Sequence, residues 1–190
     1  MKMRKRPERR KTTRKKDAAR RPPDRPSSSS SFVVEEVDRD RLDEIERLWR
    51  VYSAEQSTLV WNWVAPNEEN TARWRKATQK HFDEGDTVFV AVEKSSGRWV
   101  GILFAAEDEH GPGHRIKRIG YVSQVYVVPE WRKKGVMRAL LSAAEGWFRA
   151  RGLTHEGLYV MSDNEAAVEA WERLGFASMW DFLVREIPKR

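Results

Sequence analysis

Val125-Tyr126-Val127-Val128-Pro129-Glu130-Trp131-Arg132-Lys133-Lys134-Gly135-Val136-Met137-Arg138-Ala139-Leu140-Leu141 is the stretch from which the rest of the chain can be read. Its first four residues are apolar and mostly β-branched. Pro129 follows and has no N–H to extend a ladder, so the run reads as the end of a buried strand. A basic turn with a single glycine comes next. From Gly135 the apolar residues recur at helical spacing, which predicts a helix to about Arg151 with Gly152 as its stop. The first N–H groups of such a helix lack internal partners, and its dipole favours an anion. Gly135 lets a phosphate approach the backbone closely. Arg132, Lys133, Lys134 and Arg138 add positive charge, so strand, turn and helix together read as a site for a phosphate-bearing ligand.

Outward from that stretch, Gly120–Val128 predicts one long strand. Thr87–Val92 and Trp99–Ala106 predict two more, joined by a Ser95-Ser96-Gly97 turn. Phe32–Val37 predicts a first strand. Asp38 is placed to cap a helix carrying Leu42, Ile45, Leu48, Trp49 and Tyr52. A second helix starts at Asn67 or Asn70 and ends near Gly85. Glu107–Ile116 reads as a polar loop, Leu158–Met161 as a strand, Glu165–Leu174 as a helix, and 177–186 as one or two closing strands. The fold class is therefore α/β in the mixed α+β sense: a mixed sheet with helices on both faces.

Composition narrows the chemistry. The 190 residues contain no cysteine, which excludes disulfides, thiolate zinc sites and a cysteine nucleophile. The net charge of +7 is unevenly spread, because residues 1–26 hold 13 basic and 3 acidic groups. The body is mildly acidic, which sets off the basic turn at 132–138. Residues 1–31 lack aromatic residues and Leu, Ile or Val, and end in a serine run. Such a segment has little to bury, so 1–31 is expected to be a disordered basic tail and 32–190 a single domain. The tail is either a weak contact for nucleic acid or an anionic surface, or a solvated extension with the true start nearer Phe32. No apolar stretch approaches membrane-spanning length, and a cytoplasmic protein is expected. The chain lacks Gly-x-x-x-x-Gly-Lys and Gly-x-Gly-x-x-Gly, so nucleotide hydrolysis and dinucleotide redox chemistry find no support.

The quoted stretch resembles the acetyl-CoA loop of the GNAT superfamily of N-acetyltransferases, Arg/Gln-x-x-Gly-x-Gly/Ala after a strand ending Val-x-Pro. Arg132, Gly135, Val127 and Pro129 match, while Met137 replaces the second small residue. About thirty residues on, Asn164-x-x-Ala167-x-x-x-Trp171-x-x-x-Gly175-Phe176 is similar to a second family segment, with Trp171 where many relatives carry tyrosine. The resemblance implies a mostly antiparallel sheet and a reaction in which a neutral amine attacks the acetyl-CoA thioester directly. It implies that the backbone of Val125, Tyr126 and Val127 pairs with the pantetheine arm. The loop Arg132, Lys133, Lys134, Gly135, Val136, Met137 and Arg138 would hold the pyrophosphate, with Asn164, Ala167 and Trp171 beside the cofactor. Indole cannot protonate a thiolate usefully, so Trp171 lacks the acid role of that tyrosine.

For the acceptor side, Glu107, Glu109 and Tyr121 are the candidate base or acceptor groups. Trp61, Trp63, Glu68 and Glu69 are candidate walls. The acceptor is a small-molecule amine, a protein N-terminus or a lysine. His110 and His114 lie four apart across a Gly-Pro-Gly loop without an evident third ligand, so no metal is expected. A homodimer is left open. Two rival readings remain: a catalytically weak acyl-CoA-binding module, and a nucleic-acid-associated protein acting through its tail.

Overall fold

The computed structural model describes residues 30–59 and 65–179. The basic tail up to residue 29, Trp61 and Trp63, and most of the expected closing strands lie outside the described residues. Five strands form one sheet in the order β1(Phe32–Val37), β2(Thr87–Glu93), β3(Trp99–Glu109), β4(Arg118–Val127) and β5(Glu156–Leu158). The first four pair antiparallel, and β5 runs parallel to β4. The helices are α1(Leu42–Leu59), α2(Glu68–Asp83), α3(Val136–Ala150) and α4(Glu165–Arg173). Asp38 accepts from Asp40 N–H and caps a short 3-10 turn that leads into α1, and Asn67 caps α2.

Two cores flank the sheet. On one face Val136, Leu140, Leu141, Ala144 and Phe148 of α3 pack with Trp171 of α4 against Leu103, Ala105 and Val122. The spacing of the α3 residues puts them in a single stripe toward the sheet. That helix lies so close that a Cβ at Gly120 would meet the Phe148 ring at 2.5 Å. On the other face Ile45 and Leu48 of α1 and Trp74 of α2 cover Ile102, Phe104 and Tyr126.

Three sequence expectations are corrected. Residues 107–109 are not loop: β3 continues through Glu109, pairing Glu107 with Gly120 and Glu109 with Arg118. Their polarity reflects an open end of the sheet, where cross-strand charge pairs can replace burial. The fifth strand is Glu156–Leu158 rather than Leu158–Met161. Its pairing stops at Val122↔Leu158, and the next residue, Tyr159, is 82% exposed. Residues 177–179 contain no strand.

Candidate functional site

The strand β4 changes character at Ser123. Gln124 lies opposite Phe104 while Val122 lies opposite Ala105, so Ser123 is an extra, bulged residue. The parallel partner β5 reaches only Val122. Among the described residues, the β4 edge beyond Ser123 carries no strand. Val128 N–H still donates back to Val100 on the β3 side, at 3.1 Å. By alternation, the backbone groups of Val125 and Val127 face the open edge.

That edge leads into the helix start. Trp131 is buried and anchors the turn, edge-on to Phe32 at 6.1 Å. Lys133 (φ 61°) and Gly135 (φ 83°) are both left-handed, and only the glycine adopts that region without a Cβ penalty. The first bond of α3 runs from Ala139 N–H to Gly135 O at 3.0 Å. The N–H groups ahead of it lie at the helix end, and no side chain caps them. Lys133, Lys134 and Arg138 are exposed around this end. Met137 packs against the core, so its bulk is turned away from the loop's outer surface.

Arg132 is engaged elsewhere. Its Nε donates to Val127 O at 3.0 Å, and one Nη donates to both Glu55 carboxylate oxygens at 2.6 and 2.7 Å. Its guanidinium lies 5.7 Å from the centre of the Tyr126 ring, and Tyr126 meets Tyr52 at 5.9 Å. The arginine therefore ties the last turns of α1 to the end of β4. Burial, reinforced by Glu55, raises the Tyr126 hydroxyl to about 12.

Asn164 caps α4, accepting from Ala167 N–H at 3.2 Å. Ala167 packs on the α3-side core. Trp171 is buried there, edge-on to Phe176 at 5.1 Å.

Strand parity divides the acceptor-side candidates. Gly120 faces Phe148 of α3, so its cross-strand partner Glu107 and also Glu109 lie on the α3 face. There they border an open hollow with Glu84, Gly85, Asp86 and Arg151. Arg118 bonds the Glu107 carboxylate, and those bonds hold its pKa below the usual range. The loop at 132–138 is about 20 Å farther along β4. Glu107 and Glu109 are thus separated from the loop and face away from α1 and α2, contrary to the loop-based expectation.

Tyr121 has the opposite parity and faces the α1/α2 side. Its ring meets Tyr159 at 5.9 Å, across the point where β4 and β5 part. Burial, followed by the charges of Tyr159 and Asp108, raises its pKa. At neutral pH it is a hydroxyl donor, not a base. Glu68 pairs with Arg50 and Glu69 with Arg73 on the surface of α2. His110 and His114 approach to 5.0 Å, but no group of three metal-ligating side chains occurs among the described residues.

The sequence reading missed Glu55 and Gln124, and it took Asp108 only as part of an acidic acceptor-side loop with Glu107 and Glu109. Gln124 accepts from Trp74 Nε1 at 3.3 Å and lines a small cleft with Trp49, Tyr52 and Tyr126. No local motif marks these residues; the signals are register and strand parity.

Residues 46–176 match the family described as the acetyltransferase (GNAT) family. A mycothiol acetyltransferase from Nocardiopsis dassonvillei is 41% identical over 119 residues, which is 61% of this chain and 34% of the relative. N-alpha-acetyltransferase 30 of Schizosaccharomyces pombe is 33% identical over 103 residues, 54% of this chain and 67% of the relative. The match therefore takes in about a third of the mycothiol enzyme's length. Among solved structures, a Trypanosoma brucei acetyltransferase aligns with a TM-score of 0.59 at 15% identity, over 82% of this chain and 99% of that one. An aminoglycoside N-acetyltransferase in complex with CoA aligns at 0.60 and 16% identity, over 82% and 94%. At these identities the structural likeness is one of fold.

Proposed function

Because the chain belongs to the acetyltransferase (GNAT) family, we propose that it transfers an acetyl group from acetyl-CoA to a primary amine by direct attack. The observation that carries this is the continuity of the open β4 edge at Val125 and Val127 with the uncapped, glycine-led start of α3. The edge offers strand-like hydrogen bonds to an extended amide arm, and the helix start offers N–H groups and a positive dipole to a pyrophosphate. Acetyl-CoA supplies the activated thioester.

The chain's part in the chemistry follows from these groups. In this reading the Val125 backbone N–H stabilises charge developing on the acetyl oxygen. Holding both reactants in one cleft supplies rate through orientation. Nitrogen bonds to the carbonyl carbon, the carbon–sulfur bond breaks, and the electron pair leaves on sulfur. Trp171 is buried and offers no acid, so sulfur departs as thiolate or takes a proton from water. Tyr121 serves the acceptor side as a neutral hydroxyl. Glu107 and Glu109 are not proposed as bases, and the amine reacts in its neutral form. Its proton leaves to solvent. Rate should therefore rise with pH toward the pKa of the amine.

The acceptor is a small-molecule amine, a protein N-terminus or a lysine. The test is to titrate the full chain calorimetrically with acetyl-CoA, then assay thiol release with a panel of primary amines. Micromolar binding with amine-dependent thiol release supports the reading. Binding without turnover refutes the enzyme, and no binding refutes the site.

A further inference from the structure

The end of the sheet beyond Tyr121 carries one carboxylate that the reaction so far does not use. Asp108 sits on β3 opposite Ile119, two residues past the Ala106↔Tyr121 pair. Strand parity puts Ala106, Asp108, Ile119 and Tyr121 on one face, the face that α1 and α2 cover farther along. Asp108 and Tyr121 are diagonal neighbours there, a spacing that long side chains bridge. Glu107 and Glu109, its chain neighbours, point to the opposite face.

The Asp108 carboxylate has no ion-pair partner among the described residues. On the α1/α2 side, Asp43 and Glu46 pair with Arg75, Glu68 with Arg50, and Glu55 with Arg132. Asp108 is exposed. Beside it Tyr121 is half-buried, and Tyr159 stands 82% exposed with its ring against Tyr121. A carboxylate next to two aromatic rings can receive a cation, by charge and by cation–π attraction.

The distance to the reacting position sets the ligand. From Val125 to Tyr121 is four residues, of which one is the bulged Ser123, so the span is about 10 Å. From Val125 to the level of Asp108 is about 17 Å. We propose that Asp108, Tyr121 and Tyr159 form a distal acceptor subsite that binds a second cationic group roughly 10–17 Å from the amine being acetylated. The acceptor class is then an extended molecule with cations at both ends, and this rests on the acetyl-transfer reading above.

The experiment compares 1,8-diaminooctane and 1,12-diaminododecane with 1,4-diaminobutane and octylamine, using the full chain and saturating acetyl-CoA. The long diamines should exceed octylamine in kcat/KM by about tenfold, chiefly through KM, and the advantage should shrink as salt is raised. Asp108→Asn should bring the ratio of long diamine to octylamine close to one, and Asp108→Glu should keep most of it. Tyr159→Leu should lower the ratio in part. Acetylation of octylamine with no preference for long diamines overturns the subsite alone, as does a ratio untouched by Asp108→Asn. If acetyl-CoA binds and none of the four amines is acetylated while another amine of the wider panel releases thiol, the subsite alone fails; if no amine of that panel does, the acetyl-transfer reading fails and the subsite with it.

Discussion

Gly135 separates charge from shape at the proposed anion site. Its φ of 83° belongs to the left-handed region, and a Cβ built there meets nothing within 4 Å. A substitution at this position therefore tests backbone strain and charge, not collision. Asn tolerates left-handed geometry better than most residues, so Gly135→Asn should cost about 1 kcal/mol. Asp has nearly the same shape and strain, and as a cap for α3 either side chain adds only about a few tenths of a kcal/mol over glycine. Thermal stability of Gly135→Asp should thus stay within about 4 °C of wild type. Binding should not survive as well. A carboxylate about 6 Å from a phosphate, at an effective dielectric near 20, repels it by about 3 kcal/mol per unit charge. A pyrophosphate carries about two charges, and screening removes about half of the sum, leaving about 3 kcal/mol. That is roughly a hundredfold in affinity beyond the asparagine variant. Calorimetric titration with acetyl-CoA, run beside a melting curve, reads both quantities. Equal affinities for the Asn and Asp variants would refute the electrostatic argument, and wild-type affinity in the Asp variant would refute the site.

Other outcomes follow from the packing and the ion pairs. Gly120→Ala forces Phe148 aside and should destabilise by about 1–3 kcal/mol, seen as a lower urea midpoint at unchanged slope. Adding Phe148→Leu should recover part of it, and a neutral Gly120→Ala would mean that α3 packs loosely. Trp171→Phe should cost less than about 1.5 kcal/mol and change turnover only a few-fold, because Trp171 is core. A collapsed rate with cofactor binding intact would give it a chemical role. Arg118 lowers the folded-state pKa of Glu107 below its ordinary 4.5. The stability from that pair is present above 4.5 and is lost as pH falls through the lowered value. Arg118→Met should therefore flatten the acid limb of the denaturation midpoint against pH, and an unchanged limb would show the pair contributes nothing.

The basic turn was legible because its signals are local: Pro129 ends the strand, Gly135 opens the helix, and Val136, Leu140 and Leu141 set its face. The start of α2 was legible to within two candidates, Asn67 and Asn70, and the structure makes Asn67 the cap. The acceptor side was not. Three consecutive acidic residues look like a loop, and only pairing with β4 makes 107–109 a strand. Parity then separates Glu107 and Glu109 from Asp108, a distinction composition does not carry. Arg132 matched the motif, yet its partner Glu55 lies 77 positions away in the chain, beyond any local pattern. The apolar run at 158–161 was read as a strand because hydrophobicity cannot say where a partner strand turns away.

Ser123 has a consequence for which changes of length the chain can absorb. Before it, even-numbered residues of β4 (Gly120, Val122) face α3, and after it odd-numbered ones do (Val125, Val127). The bulge acts as a phase slip within one strand, much as a spacer restores a reading frame. Removing that single residue would rotate everything downstream by half a turn. Tyr126 would move into the α3 core and Val125 onto the helices opposite, although every amino acid of the motif remained. Substitution at Ser123 is a local matter, whereas deletion there is a rearrangement of the whole half-strand.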